Sequence, residues 1–189
     1  DSYTTLLLHG NGANASTTFT DASLAANGNA TVVANAQVST AQSKFGGASI
    51  LFDGSGDYLT APDSADWQFT GDFTIEAFVR ISSLSGSAII SQYAVGNLSF
   101  SHETTASGQA RFRYSTDGAS AVHDITTTGT ALTTGTWYHL CIDRDSSNKM
   151  RVYIDGVMRG SKTSATGTNF NAAIPLDVGR RASGALDHN

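Results

Sequence analysis

The chain has 189 residues, enough for one domain with a single buried core. Only 14 % of residues are charged, 40 % are hydrophobic, the net charge is −5 and the pI is about 5.3. Arg180-Arg181 is the densest basic point. This excludes binding driven by nucleic-acid phosphates. No apolar run approaches the ~20 residues that a helix needs to cross a bilayer. The chain opens at Asp1 without a recognisable leader and reads as a processed protein or a fragment. Cys141, the only cysteine, lies in a strand-like run and reads as an inert buried thiol.

Nineteen glycines, two prolines and abundant Ser and Thr suit short strands joined by turns. Strand-type alternation recurs along the chain, and helix-type periodicity does not. Thr5 to His9 is the first predicted strand, closed by Gly10-Asn11-Gly12. A polar stretch runs to Asn29, with one turn of helix expected at Ser23 to Ala26. Strands follow at Thr31 to Ala34, Lys44 to Phe52 and Tyr58 to Ala61. The clearest is Asp72 to Ser82, with Phe73, Ile75, Ala77, Val79 and Ile81 on one face and Thr74, Glu76, Phe78 and Arg80 on the other. The first set is assigned to the core.

Ala88 to Tyr93 and Asn97 to His102 form a predicted hairpin across Ala94-Val95-Gly96. Gln109 to Ser115 alternates Ala110, Phe112 and Tyr114 with Arg111 and Arg113, and Val122 to Thr127 follows the turn at Thr116-Asp117-Gly118. Thr136 to Arg144 sets Leu140 and Ile142 opposite Trp137, His139 and Cys141. Met150 to Ile154 returns through Asp155-Gly156, a two-residue turn whose positions both need positive φ. Val157 to Gly160 and Ile174 to Gly179 complete the set. About a dozen short strands without a helix imply an all-β sandwich of two antiparallel sheets.

Catalytic arrangements are poorly represented. Hydrolysis of a glycosidic bond usually needs two carboxyls ~5–9.5 Å apart, and the two glutamates stand alone. Glu76 reads as a partner of Arg80 or of a neighbouring strand's arginine, and Glu103 as a solvated strand end. No Gly-X-Ser-X-Gly elbow is present, and the five histidines lack metal-ligand spacing. The expectation is a protein that is not an enzyme. Sugar binding needs aromatic faces beside polar groups. Trp67, in the loop Asp63 to Gly71, is the best exposed candidate, its rival role being a lid packed on the sandwich edge. Tyr93, Tyr114, Tyr153 and Phe78 are the other candidates, with packing beneath loops as the alternative. Asp53-Gly54-Ser55-Gly56-Asp57 offers two carboxylates in a Gly-rich loop, either for a hard cation such as calcium or as aspartates capping their own turn.

Several blocks occur together in a recognisable order. They are Leu6 to Gly12, Lys44 to Gly54 followed by Asp57-Tyr58-Leu59, Asp72 to Val79, Thr136 to Leu140 with Arg144, and Arg151 to Gly156. The chain resembles laminin-G-like domains of the concanavalin A-like lectin/glucanase superfamily over nearly its whole length. Its His9-Gly10-Asn11-Gly12 opening and Gln42 to Gly47 segment are similar to modules in tailed-phage structural proteins. The resemblance implies a concanavalin A-like jelly roll at residues 1–189, glycan or protein partners, and often a structural Ca2+. If the family's calcium position is kept, Asn11 and Asp187 are a second candidate ligand set.

Family members close with a strand beside the first one, and here Leu186-Asp187-His188-Asn189 stand where it would begin. We read the chain as lacking that strand; donation of a strand by another chain at this edge is the alternative. The function implied is a non-catalytic binding or structural module on a virion surface, as capsid decoration, tail or fibre. It would contact host glycans or neighbouring subunits. The alternative is a carbohydrate-binding accessory domain of a secreted bacterial polysaccharide-active protein. Either places it on the virion surface or outside the cell, without membrane insertion.

Overall fold

A computed structural model describes residues 2–25, 27–121, 123–129 and 132–182. Thirteen strands are assigned among them: β1 (Thr31–Val33), β2 (Gln37–Ser39), β3 (Ser49–Leu51), β4 (Tyr58–Ala61), β5 (Phe73–Arg80), β6 (Ala88–Ala94), β7 (Asn97–Thr104), β8 (Ala110–Tyr114), β9 (His123–Thr126), β10 (Trp137–Arg144), β11 (Met150–Ile154), β12 (Val157–Lys162) and β13 (Leu176–Val178). The assigned helix is a 3-10 turn at Ala65–Trp67, so no described helix is long and apolar enough to cross a membrane. One sheet has seven strands in the order β1-β4-β13-β6-β7-β8-β9, and the facing sheet has four, β12-β11-β10-β5. β2 and β3 pair separately. The all-β sandwich predicted from alternation is the fold.

The core forms where the apolar sides of the two sheets meet. Phe100, Phe112, Ile125 and Leu176 come from the larger sheet; Val79, Leu140, Ile142 and Val152 come from the smaller. Phe73, Ile75 and Ala77 pack against this cluster as the alternation in β5 predicts. Asp155 and Gly156 have φ of 50° and 75°, so the β11–β12 hairpin turns as read.

Two local expectations fail. Thr5 to His9 is not a strand: only Leu8 bridges, to Asp21, and the Asp21 carboxylate takes the Leu7 backbone N–H. That side chain occupies a donor that strand pairing would need. The same carboxylate accepts the backbone N–H and the hydroxyl of Ser23, making a turn where a helical start was expected. Ala26 lies outside the described residues.

Arg144, at the end of β10, is buried between the sheets. Its guanidinium donates to the carbonyls of Phe69, Gly71 and Gly167 and to the Tyr114 hydroxyl, and it lies 5.3 Å from the centre of the Phe73 ring. These partners come from the segment entering β5, from β8 and from the loop after β12. The planar fork reaches several acceptors that the single ammonium of lysine cannot reach together. Arg144→Met should lower unfolding free energy by about 2–4 kcal/mol, since the carbonyls lose charged donors, and Arg144→Lys should recover little. Urea titrations of the three proteins check this; an unchanged midpoint in Arg144→Met would contradict it.

His102 is fully buried on the inner side of β7, and neither ring nitrogen has a hydrogen-bond partner. Burial pushes its pKa down from 6.5 to about 4. The unfolded chain therefore takes up this proton near pH 6.5 and the folded protein only near pH 4. Between those values the unfolded state binds more protons, so stability falls as pH drops and levels off below about 4. His102→Leu should remove up to about 3 kcal/mol of this pH-dependent stability. A smaller slope should remain from His123, which burial also lowers. Unfolding measured from pH 7 to 4 tests it, and an unaltered slope in the variant would refute the assignment.

Candidate functional site

Along β7 and β8 the side chains alternate between the core and the outer face of the seven-stranded sheet. The pairing Glu103–Arg111 and Ser101–Arg113, continued by Arg113–Asp124 into β9, lays acidic and basic groups side by side on that outer face. The row extends through Ser101–Ser91 and Ser91–Asp177 into β6 and β13. Beyond β13, Gly179 has φ +89°, and a Cβ there would stand 2.9 Å from the Phe52 ring. The backbone turns at this glycine and runs over the polar face. The Arg180 carbonyl accepts from the Ser91 hydroxyl at 2.8 Å. The Arg180 guanidinium pairs with Asp177 at 2.8 Å and stacks 3.5 Å over the Tyr58 ring. The next residue, Arg181, is thereby directed at Glu103.

Glu103, Arg111, Arg113 and Arg181, with Ser85, Gly86, Thr104, Thr105 and Ala106, line a pocket of about 360 Å³. Glu103 is only 2 % exposed. Arg113 approaches it at 3.2 Å, Arg181 at 3.6 Å and Arg111 at 3.7 Å. Arg111 also grips Asp124 with two nitrogens. That contact, together with the nearby charge of Glu103, holds Arg111 above the usual arginine range despite burial. Burial holds Arg181 below the usual range; Glu103 opposes the shift and Arg113 adds to it. The Tyr93 ring sits beside two of the cations, 5.7 Å from Arg113 and 4.8 Å from Arg181.

Of the five aromatic candidates, the structure brings only Tyr93 against the pocket's arginines. Trp67 is 3 % exposed: it closes the 3-10 turn, joins the core, and its indole N–H donates to the Pro62 carbonyl. It is the packed lid rather than an exposed platform. Tyr114 faces inward on β8 with Phe112, and its hydroxyl donates to the Ala165 carbonyl and accepts from Arg144. Tyr153 is half-buried on the other sheet and bonds Asp143. Phe78 is exposed on that sheet too, edge-on to Phe45 at 4.9 Å and against His139 at 4.8 Å.

Glu76 bonds His139 of the neighbouring strand at 3.1 Å, and Arg80 donates to the Gly135 carbonyl, so the partner is a histidine and neither Arg80 nor a neighbouring strand's arginine as expected. Glu103, read as solvated, is buried because β7 continues to Thr104 and carries it beneath the arginines. Arg111 and Arg113 had the visible signal of alternation, but nothing in the sequence paired them with Glu103. Cys141 is half-buried, and burial, then the nearby Glu76 and Asp143, push its thiol up to about 11, consistent with an inert group.

The acidic loop is mostly self-satisfied. Asp53 accepts from the Asn35 amide and the Ser55 backbone N–H, and Asp57 accepts the Asp53 backbone N–H. These bonds hold Asp53 below the usual carboxylate range. The second oxygen of Asp57 is buried without a partner, the one feature of the loop that fits a cation. Asn11 is exposed and lies near Gly46; Asp187 lies outside the described residues. Among the described residues no three His, Cys, Asp or Glu side chains group to hold a metal.

Among curated proteins none matches the sequence. Solved structures match the fold. The binding domain of Paraclostridial Mosquitocidal Protein 1 has a TM-score of 0.68 at 17 % identity, over 90 % of this chain and 43 % of that one. The botulinum neurotoxin serotype C1 binding domain has 0.59 at 17 %, over 92 % and 42 %. Botulinum neurotoxin type C, whose cell entry depends upon interaction with two ganglioside molecules, has 0.58 at 14 %, over 85 % and 39 %. This chain thus spans under half the length of each. The Laminin_G_3 family model, described as concanavalin A-like lectin/glucanases superfamily, matches residues 53–188. With that match covering more than two thirds of its length, the chain belongs to this laminin-G-like family of the concanavalin A-like superfamily.

Proposed function

We propose that the domain binds glycan without catalysis, through the arginine-lined pocket on the outer face of the seven-stranded sheet. The observation that carries the reading is the pocket itself. It lies within the ~300–1,000 Å³ of small-ligand sites, and its hydroxyls, guanidiniums and the Gly86 backbone can meet sugar hydroxyls. Its one carboxylate, Glu103, is enclosed by three arginines, and Asp124 is bound to Arg111. Neither is paired with a second free carboxyl across a cleft, as glycoside hydrolysis requires. The ganglioside dependence of botulinum neurotoxin type C supports glycan recognition on this fold.

The setting proposed is an exposed surface. The His9 to Gly12 and Gln42 to Gly47 segments favour a tailed-phage virion, with neighbouring virion subunits as additional partners. The binding domains of bacterial toxins found among the structural neighbours favour a secreted protein instead. Weak single sites would gain from display in many copies. A glycan array probed with multimerised protein should show saccharide binding, and the bound sugars should be recovered uncleaved. Release of reducing ends, or binding that survives loss of Arg113 and Arg181 together, would overturn the reading.

Calcium belongs to this proposal only at Asp53 and Asp57, where the unpartnered Asp57 oxygen would be one of the six to eight that the ion takes. Millimolar calcium should then raise Tm by a few degrees in the parent and not in Asp57→Asn. An equal response, or none, in both proteins would remove calcium from the account.

A further inference from the structure

The pocket is not electrically balanced. Arg111, Arg113 and Arg181 surround one buried carboxylate, and the second carboxylate in reach, Asp124, is spent on Arg111. Three cations against two anions leave one positive charge in excess, in a place where water screens it poorly. Arg113 divides its donors between Ser101 and Glu103. Arg181 reaches Glu103 only at 3.6 Å, and its Nε is buried with no hydrogen-bond partner. A buried donor on a charged group that lacks a partner is costly. That Nε is enclosed by the protein, so an anion from outside would answer the excess positive charge rather than this atom.

Tyr93 settles which edges are offered. Its ring contacts Arg113 and Arg181. A ring beside a guanidinium leaves the edge of its fork for acceptors, and the donors of Arg113 and Arg181 not already given to Ser101 and Glu103 suit a carboxylate or a sulfate. The remaining lining, Ser85, Gly86, Thr104, Thr105 and Ala106, is small and hydroxylic. It suits a sugar ring and offers no apolar cleft for a peptide side chain. The protein as a whole carries −5, so a long polyanion meets net repulsion from the rest of the molecule.

The geometry points to an acidic saccharide as the ligand, its carboxylate or sulfate ester bound between Arg113 and Arg181 at the edge of Glu103. This rests on the glycan-binding reading above and narrows it to one charge class. Galactose, galactose 6-sulfate and N-acetylneuraminic acid, titrated into the parent by calorimetry or saturation-transfer NMR, separate the neutral ring, the sulfate source and the carboxylate source. At least one acidic sugar should bind tenfold or more tightly than galactose and weaken as salt is raised. Arg181→Gln should lose that preference at least tenfold while its Tm stays within a few degrees. Arg151→Gln, which removes a guanidinium paired with Asp143 and Asp145 on the other sheet, should leave it intact.

Equal binding of galactose and the acidic sugars would overturn the charge assignment and spare the glycan reading. Binding of neither class, here and on the array, would overturn both. An acidic peptide that binds where the acidic sugars fail would replace saccharide with protein as the partner. If Arg181→Gln unfolds, Arg113→Lys, which keeps the charge and loses the fork, should weaken the acidic sugar without altering galactose binding. An unchanged preference there would equally count against the proposal.

Discussion

The pairing register between β7 and β8 is the constraint from which the core and the pocket both follow. Side chains on a strand alternate with period two, so a single register decides two surfaces at once. With His102 opposite Phe112 and Phe100 opposite Tyr114, the inner face receives the aromatic rings that fill the sandwich. The same pairing places Glu103 opposite Arg111 and Ser101 opposite Arg113 on the outer face. A slip of one residue would expel Phe112 and bury Arg111. Hydrophobic burial of the inner face, at roughly 25 cal/mol per Å², therefore enforces the arrangement of charges on the outer one. The polar site is held by the energetics of a core it does not touch.

Two arginines show how one residue type can sit in different surroundings, Arg144 buried and Arg181 half-buried. Arg144 is met by carbonyls from two loops that close the sandwich and by the Tyr114 phenol from β8. Its donors are used within the chain. Arg181 lies over a carboxylate it shares with two other guanidiniums, and its Nε is unmatched. Arg180, one residue earlier, is anchored on Asp177 and Tyr58, so the position of Arg181 is inherited from a rigid neighbour.

The fold was legible where alternation is strong. β5, the β6–β7 and β11–β12 hairpins, β8 and β10 were readable because each carries several apolar residues at period two or a turn whose backbone only certain residues adopt. Thr5 to His9 was misread because the Asp21 side chain satisfies its backbone, a contact made across fourteen residues. β2 at Gln37–Ser39 had too few residues to show a period.

The site was much less legible. Trp67 and Tyr114 have the side chains of sugar platforms, but the core absorbed both, since burial of a large ring outweighs its use at the surface. Tyr93 was nameable and lies at the pocket margin, whereas Glu103 looked solvated until the cross-strand register brought Arg111 and Arg113 over it. The convergence of β7, β8 and the segment after β13 is a tertiary fact: Arg181 and Glu103 are neighbours in space and far apart in the chain. The most direct measurement is a crystal structure of the protein with a bound acidic saccharide. The account predicts its anionic oxygens at about 3 Å from the guanidiniums of Arg113 and Arg181, with the ring over Ser85, Gly86 and Thr105. A sugar seated on the other sheet beside Phe78 and His139, with the arginine pocket bare, would contradict it.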